Sequence, residues 1–174
     1  MLFEDGNKID LTIVPLEDLE RYLAHDKLLT VLLDKDDRVA SLPVPTDEAY
    51  HVIPPTERSF DDCQNEFWFV STYISKGLCR GEFLFATHHF TEILQQELLR
   101  MLSWWVGIQT EFSVSVGKSY KYLEHYLSKE DWSTLQSTFR LDSEEHIWNS
   151  LFAAFSLMRT TANKVAEDFQ FSYP

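Results

Sequence analysis

Between positions 60 and 78 apolar side chains recur at steps of three and four: Phe60, Cys63, Phe67, Val70, Ile74 and Leu78. At the pitch of an α-helix these positions form one stripe, and a stripe of that length has to be buried against other elements. The spacing continues through "EFLFATHHFTEILQQELLRMLSWWVGI", with Phe83, Phe90, Ile93, Leu94, Leu98, Met101, Leu102 and Trp105 in step. A shorter helix is predicted after Gly117, carrying Tyr122, Leu123 and Tyr126. The last helix places Ile147, Leu151, Phe155 and Met158 inward, and Asp142 with Glu145 three residues on has the spacing of a capping box. The aromatic clusters Trp104 with Trp105, and Phe67 with Trp68 and Phe69, read as core. Together these segments predict a bundle of about four or five helices.

The front of the chain has a different texture. Leu2 and Phe3 precede Asp5-Gly6, a dipeptide suited to a tight hairpin turn. Residues 8–14 then alternate, with Ile9, Leu11 and Ile13 on one face and Asp10, Thr12 and Val14 on the other. "PLEDLERYLAHDKL" predicts a short helix with Pro15 near its start, and "LLTVLLDKDDRV" a further strand. Residues 40–56 hold four of the six prolines and read as an extended connector. The expected fold class is therefore α+β: a partial mixed sheet with its connector over residues 1–56, then a helical body over residues 57–174.

Composition narrows the function classes. The chain has 174 residues, 44% apolar and 14% aromatic, with five glycines, enough for a packed core. Mean hydropathy is -0.24 and no long uncharged apolar run occurs, so no membrane span is expected. "MLFEDGNK" has no basic segment followed by an apolar one, and no secretory signal is predicted. Cys63 and Cys79 share no motif with a second pair and read as buried free thiols of a cytoplasmic protein. Fifteen Lys+Arg against 28 Asp+Glu give a net charge of -13, which argues against nucleic acid and favours a polycationic small molecule as partner.

Three sets of residues could carry chemistry. Asp10, alone in a strand, either faces water or meets a partner or a metal. Lys118 and Lys121, following Gly117, suit phosphate if they sit at a helix start, and are a solvated face otherwise. Asp62, Glu66, Tyr73 and Lys76 fall at near-helical steps away from the apolar stripe, as a pocket wall or as an ordinary exposed face. His88, His89 and Glu92 do not make a zinc site, since no further His or Cys pattern completes one.

Several long segments, in order, carry a resemblance: "MLFEDGNKIDLTIVPLED", "VLLDKD", "CQNEFWFVSTYISKGL", "FSVSVGKSYKYLEHYLS" and "IWNSLFAAFSLMRTTANKVAEDFQFSYP". Over residues 1–174 the chain resembles the bacterial aminoglycoside 6-adenylyltransferases, polymerase-β-like nucleotidyltransferases that inactivate streptomycin. The resemblance implies an N-terminal mixed sheet with three metal-holding carboxylates, a helical domain, and Mg²⁺-dependent transfer of AMP from ATP to a drug hydroxyl. "NKIDLTI" is similar to the strand bearing the third carboxylate, so Asp10 is expected to bind metal or take the hydroxyl proton. No Gly-Ser followed by Asp-x-Asp occurs in the sequence. The chain therefore reads as the C-terminal part of such an enzyme, nearly inactive alone, and self-association through an incomplete sheet is expected. By analogy Lys118 and Lys121 are assigned to the triphosphate, and Asp62, Glu66 and Tyr73 to the cationic guanidino sugar of the drug. Gln64 and Phe69 stand where a Cys and a Trp are expected, and Gly81 where a longer side chain is usual. The competing expectation is a non-enzymatic helical binding module derived from such an enzyme.

Overall fold

The computed structural model describes residues 1–39 and 44–173. The chain divides into two units, Met1–Ala49 and Tyr50–Pro174. Part of the proline-rich connector, residues 40–43, lies outside the described residues.

The first unit corrects the expected α+β class. Its start does turn back on itself: Gly6 has φ +85°, Phe3 N–H donates to the Asn7 carbonyl at 2.8 Å, and Ile9 N–H to the Met1 carbonyl at 2.9 Å. The Asp5 carboxylate accepts from the Asn7 backbone and side-chain amides, which holds its pKa below the ordinary value. Only one isolated antiparallel bridge forms among the described residues, Leu2 with Lys8, and no sheet exists among them. Ile9, Leu11 and Ile13 alternate as a strand would, but among the described residues the pairing goes no further than the Leu2–Lys8 bridge and the Ile9–Met1 hydrogen bond, and the three side chains are exposed. Alternation fixes which faces a strand shows; it supplies no partner for the backbone, and a lone hairpin rung is not stable as a sheet. Residues 28–33, also expected as a strand, are irregular for the same reason. Here Asp34 accepts from Val39 N–H, which lowers its pKa. Helix α1, Leu19–His25, follows a 3-10 turn at Leu16–Asp18, and no described residue of this unit is buried.

The second unit is built on the long stripe. Helix α2, Glu57–Cys79, starts at Thr56, whose hydroxyl accepts from Ser59 N–H while Ser59 Oγ accepts from Thr56 N–H, a reciprocal cap. Phe60, Cys63, Phe67 and Ile74 are wholly inaccessible to solvent. The helix ends at Gly81, whose φ of +70° lets Glu82 N–H reach the Gly77 carbonyl at 2.9 Å and Gly81 N–H the Leu78 carbonyl at 3.1 Å. That turn folds α3, Phe83–His89, back along α2. Gly77 permits the approach: a Cβ there would lie 2.9 Å from the Phe85 ring.

A π-helical turn at Phe90–Leu94 joins α3 to α4, Gln95–Gln109. Helices α5, Lys129–Ser137, and α6, Glu144–Phe169, complete the body, and α6 packs on α2, α4 and α5. The cap of α6 is Ser143, whose Oγ accepts from His146 N–H at 3.1 Å; the expected cap, Asp142, instead accepts from His146 Nδ1 at 2.7 Å. Ser150 Oγ donates to the Ser137 and Arg140 carbonyls, closing the end of α5. Beyond α6 the chain returns to the start of α2, with Phe171 and Tyr173 at 5.6 and 6.0 Å from the Phe60 ring. Two further expectations shift: Phe69 is exposed rather than core, and Cys79 is exposed while Cys63 is buried.

Candidate functional site

With Phe60, Cys63, Gln64, Phe67 and Val70 of α2 turned inward, Asp62, Asn65, Glu66 and Phe69 are left facing outward. These residues meet Glu97 and Arg100 of α4 across an open cleft of about 530 Å³. Three carboxylates and one guanidinium line it, so the cleft is acidic. Asp62 is loosely attended by Arg58, 3.8 Å away, with both side chains largely in solvent. Such a pair contributes at most about 1 kcal/mol and leaves Asp62 available to a ligand.

Glu97 differs from its two companions. Its side chain is only 10% exposed, and Arg100 Nη1 lies 2.9 Å from Oε2. Oε2 nevertheless has no hydrogen-bond partner aligned with it. Burial pushes the Glu97 pKa up; the Cys63 thiol and the Arg100 charge oppose the rise, and the Glu66 charge adds to it. Behind it, Cys63 Sγ donates to the Glu97 carbonyl at 3.4 Å, and burial raises that thiol's pKa as well. Tyr120, half-buried within reach of the Arg100 and Glu97 charges, is also raised, mainly by burial.

The raised Glu97 pKa gives a stability prediction with a definite sign. The folded protein binds this proton more tightly than the unfolded chain, so stability is undiminished below the ordinary glutamate value of 4.5 and declines as pH rises through the window above it. Thermal melts across that window are expected to show Glu97→Gln losing less stability with pH than the parent. Parallel pH profiles for the two proteins contradict it.

The other sequence-derived candidates are placed as follows. Tyr73 does not line the cleft; one turn beyond Phe69, its ring lies 5.2 Å from Phe69 and 5.6 Å from His89, with Lys76 Nζ 5.4 Å above it. Lys118 and Lys121 belong to no long helix: Lys118 opens a 3-10 turn, Lys118–Tyr120, entered through Gly117 at φ +77°, and Lys121 directly follows it. Within it Ser119 and Tyr120 adopt left-handed backbone, φ 56° and 60°, a costly conformation for residues with a Cβ. Lys121 lines a separate groove of about 540 Å³ with Gln96, Tyr120, Trp132 and Phe139, and its Nζ lies 4.6 Å from the Tyr122 ring. Lys118 does not line that groove. Asp10, in the first unit, is exposed and paired with Lys8 at 2.9 Å. Among the described residues no three His, Cys, Asp or Glu side chains are grouped to hold a metal ion. His89 Nδ1 lies 2.9 Å from the Phe85 carbonyl. No helix among the described residues is long and apolar enough to cross a membrane.

Glu97, Arg100 and Tyr120 were not foreseen. The one signal for Glu97 and Arg100 in the sequence is their i, i+3 pairing inside the apolar run of α4, and Tyr120 has none.

A family model described as streptomycin adenylyltransferase matches residues 1–174. An aminoglycoside 6-adenylyltransferase of Campylobacter jejuni is 48% identical over 174 residues, covering all of this chain and 60% of that protein. Another, of Bacillus subtilis (strain 168), is 46% identical over 175 residues and is covered to 62%. A crystal structure of an aminoglycoside 6-adenyltransferase from Bacillus subtilis superposes with a TM-score of 0.67 at 43% identity, covering 99% of this chain and 64% of that one. The chain thus spans about 60% of the length of the curated relatives it matches.

Proposed function

Because the chain belongs to the streptomycin adenylyltransferase family, we propose that its helical body binds the cationic acceptor for transfer of AMP from ATP to a hydroxyl of a streptomycin-like aminoglycoside. In that reaction the acceptor oxygen forms a bond to the α-phosphorus, the bond to pyrophosphate breaks, and the hydroxyl proton is released to a base. The observation that carries the reading is the acidic cleft between α2 and α4, lined by Asp62, Glu66 and Glu97. Carboxylates held on packed helices attract a polycation from solution and hold its guanidinium groups by charge-assisted hydrogen bonds. Phe69, exposed in the same cleft, offers a face on which a planar guanidinium stacks.

Lys118 and Lys121 are the cations we assign to the ATP phosphates; Lys121, lining a groove with aromatic walls, is the better supported of the two. Asp10 is the carboxylate for which the family resemblance implies a role at the metal or toward the acceptor proton. The family implies Mg²⁺, but Asp10 is paired with Lys8 and no further ligands are grouped with it among the described residues. The residues present do not make a magnesium site, and the acceptor-binding role stands independently of one. The biological setting that follows is resistance to the drug in the cytoplasm.

Calorimetric titration with streptomycin, with and without Mg-ATP, tests the reading. Saturable binding of the drug without nucleotide is expected, strengthened at low ionic strength as an acidic cleft requires. Absence of binding contradicts it. Binding indifferent to nucleotide and without AMP transfer favours a helical binding module over a competent enzyme.

A further inference from the structure

Buried polar atoms in folded proteins nearly always have hydrogen-bond partners, and each exception calls for a cause. Glu97 Oε2 is such an exception: nine-tenths of its side chain is buried, it borders the cleft, and its nearest cation is ill-aligned. Arg100, by contrast, is half exposed and held by no other ion pair among the described residues. Its long side chain is free to swing out into water without leaving a buried charge of its own. A carboxylate fixed in place by burial therefore stands beside a guanidinium that is not.

Resting on the acceptor-cleft reading, we infer that Glu97 is a third acceptor-binding carboxylate, occupied in the free protein by Arg100 as a placeholder that a ligand guanidinium displaces. The two guanidinium groups compete for one site. A ligand guanidinium has the planar fork of donors that Arg100 has, and can present it along the line Oε2 requires; an ammonium is a point charge and cannot reproduce the fork. Asp62 and Glu66, more open to solvent, attract the polycation, and Glu97 selects for guanidinium.

The two partners of the pair give opposite signs, which a purely structural role does not. Streptomycin is titrated at about pH 8, above the carboxylate range, into the chain and into Glu97→Gln and Arg100→Gln, each checked for folding by thermal melt. Glu97→Gln is expected to weaken binding by about tenfold, the loss of one charge-assisted hydrogen bond. Arg100→Gln is expected to tighten it several-fold by removing the competitor. Unchanged affinity in Glu97→Gln, or weaker binding in Arg100→Gln, overturns the inference. If Glu97→Gln does not fold, the sign of the Arg100→Gln effect decides alone. Weakening by amides at Asp62 and Glu66 without any effect at Glu97 leaves the acceptor cleft standing and removes Glu97 from it. No binding by the parent chain overturns both.

Discussion

Changing Asp62 to Asn and Glu66 to Gln together is expected to weaken streptomycin binding by about ten- to a hundredfold while leaving the fold intact. Each carboxylate supplies one charge-assisted contact, and loss of such a contact costs about tenfold in affinity. The two sites are neighbours on one face of α2, so their effects couple, and the double variant is the fair test. Stability changes little because Asp62 is mostly solvated and its one ion pair among the described residues, with Arg58 at 3.8 Å, is long. Exposed substitutions of this kind move stability by about 0.5 kcal/mol or less. Calorimetry at low salt reads the affinity and a thermal melt the stability. Equal loss of both would mean that these residues hold α2 rather than a ligand.

Phe67→Ala is expected to have the largest effect on the fold, about 3–5 kcal/mol. The Phe67 side chain is wholly buried on the inner face of α2, with its ring edge-on to Trp68 at 5.0 Å and to Phe155 of α6 at 6.1 Å. Alanine there leaves a cavity between two long helices that cannot close without moving one of them. Against a typical total of about 5–15 kcal/mol, the loss takes a large share of the stability. Phe69→Ala, two positions on but exposed, is expected to cost far less. Urea unfolding of both variants measures the difference; similar midpoints would contradict the assignment of inner and outer faces.

The stripe on α2 and the register of α4 and α6 were legible because burial of a helix imposes a period that the apolar residues keep. Phe60, Phe67, Ile74, Leu98, Ile147 and Met158 are where that period places them. The sheet was not legible. Ile9, Leu11 and Ile13 show the alternation of a strand, but whether it forms depends on a neighbour that alternation does not specify, and among the described residues the pairing stops at the Ile9–Met1 hydrogen bond and the Leu2–Lys8 bridge. Residues 117–122 read as a helix start, whereas left-handed Ser119 and Tyr120 break the turn after one circuit. The cap of α6 shifted by one residue because the Asp142 side chain reaches His146 while Ser143 takes the backbone N–H.

The site was half visible. Asp62 and Glu66 could be placed on one outward face from spacing alone, and the cleft contains both. Tyr73 follows the same spacing but sits a turn beyond the cleft, against His89. Glu97 was hidden because it lies in a run dominated by Leu94, Leu98, Leu99 and Met101, where a lone acid reads as a solvated position. Its burial arises from α2 packing across α4, a tertiary fact with no local signature.

The central claim is that the drug binds between α2 and α4. Amide chemical-shift mapping of the isotopically labelled chain during titration with streptomycin tests it directly. The largest shifts are predicted at Asp62, Asn65, Glu66, Glu97 and Arg100, saturating together at one affinity. Shifts centred instead on the groove beside Lys121, or on the polar hollow bordered by Trp105, Asp131 and Lys164, would contradict it.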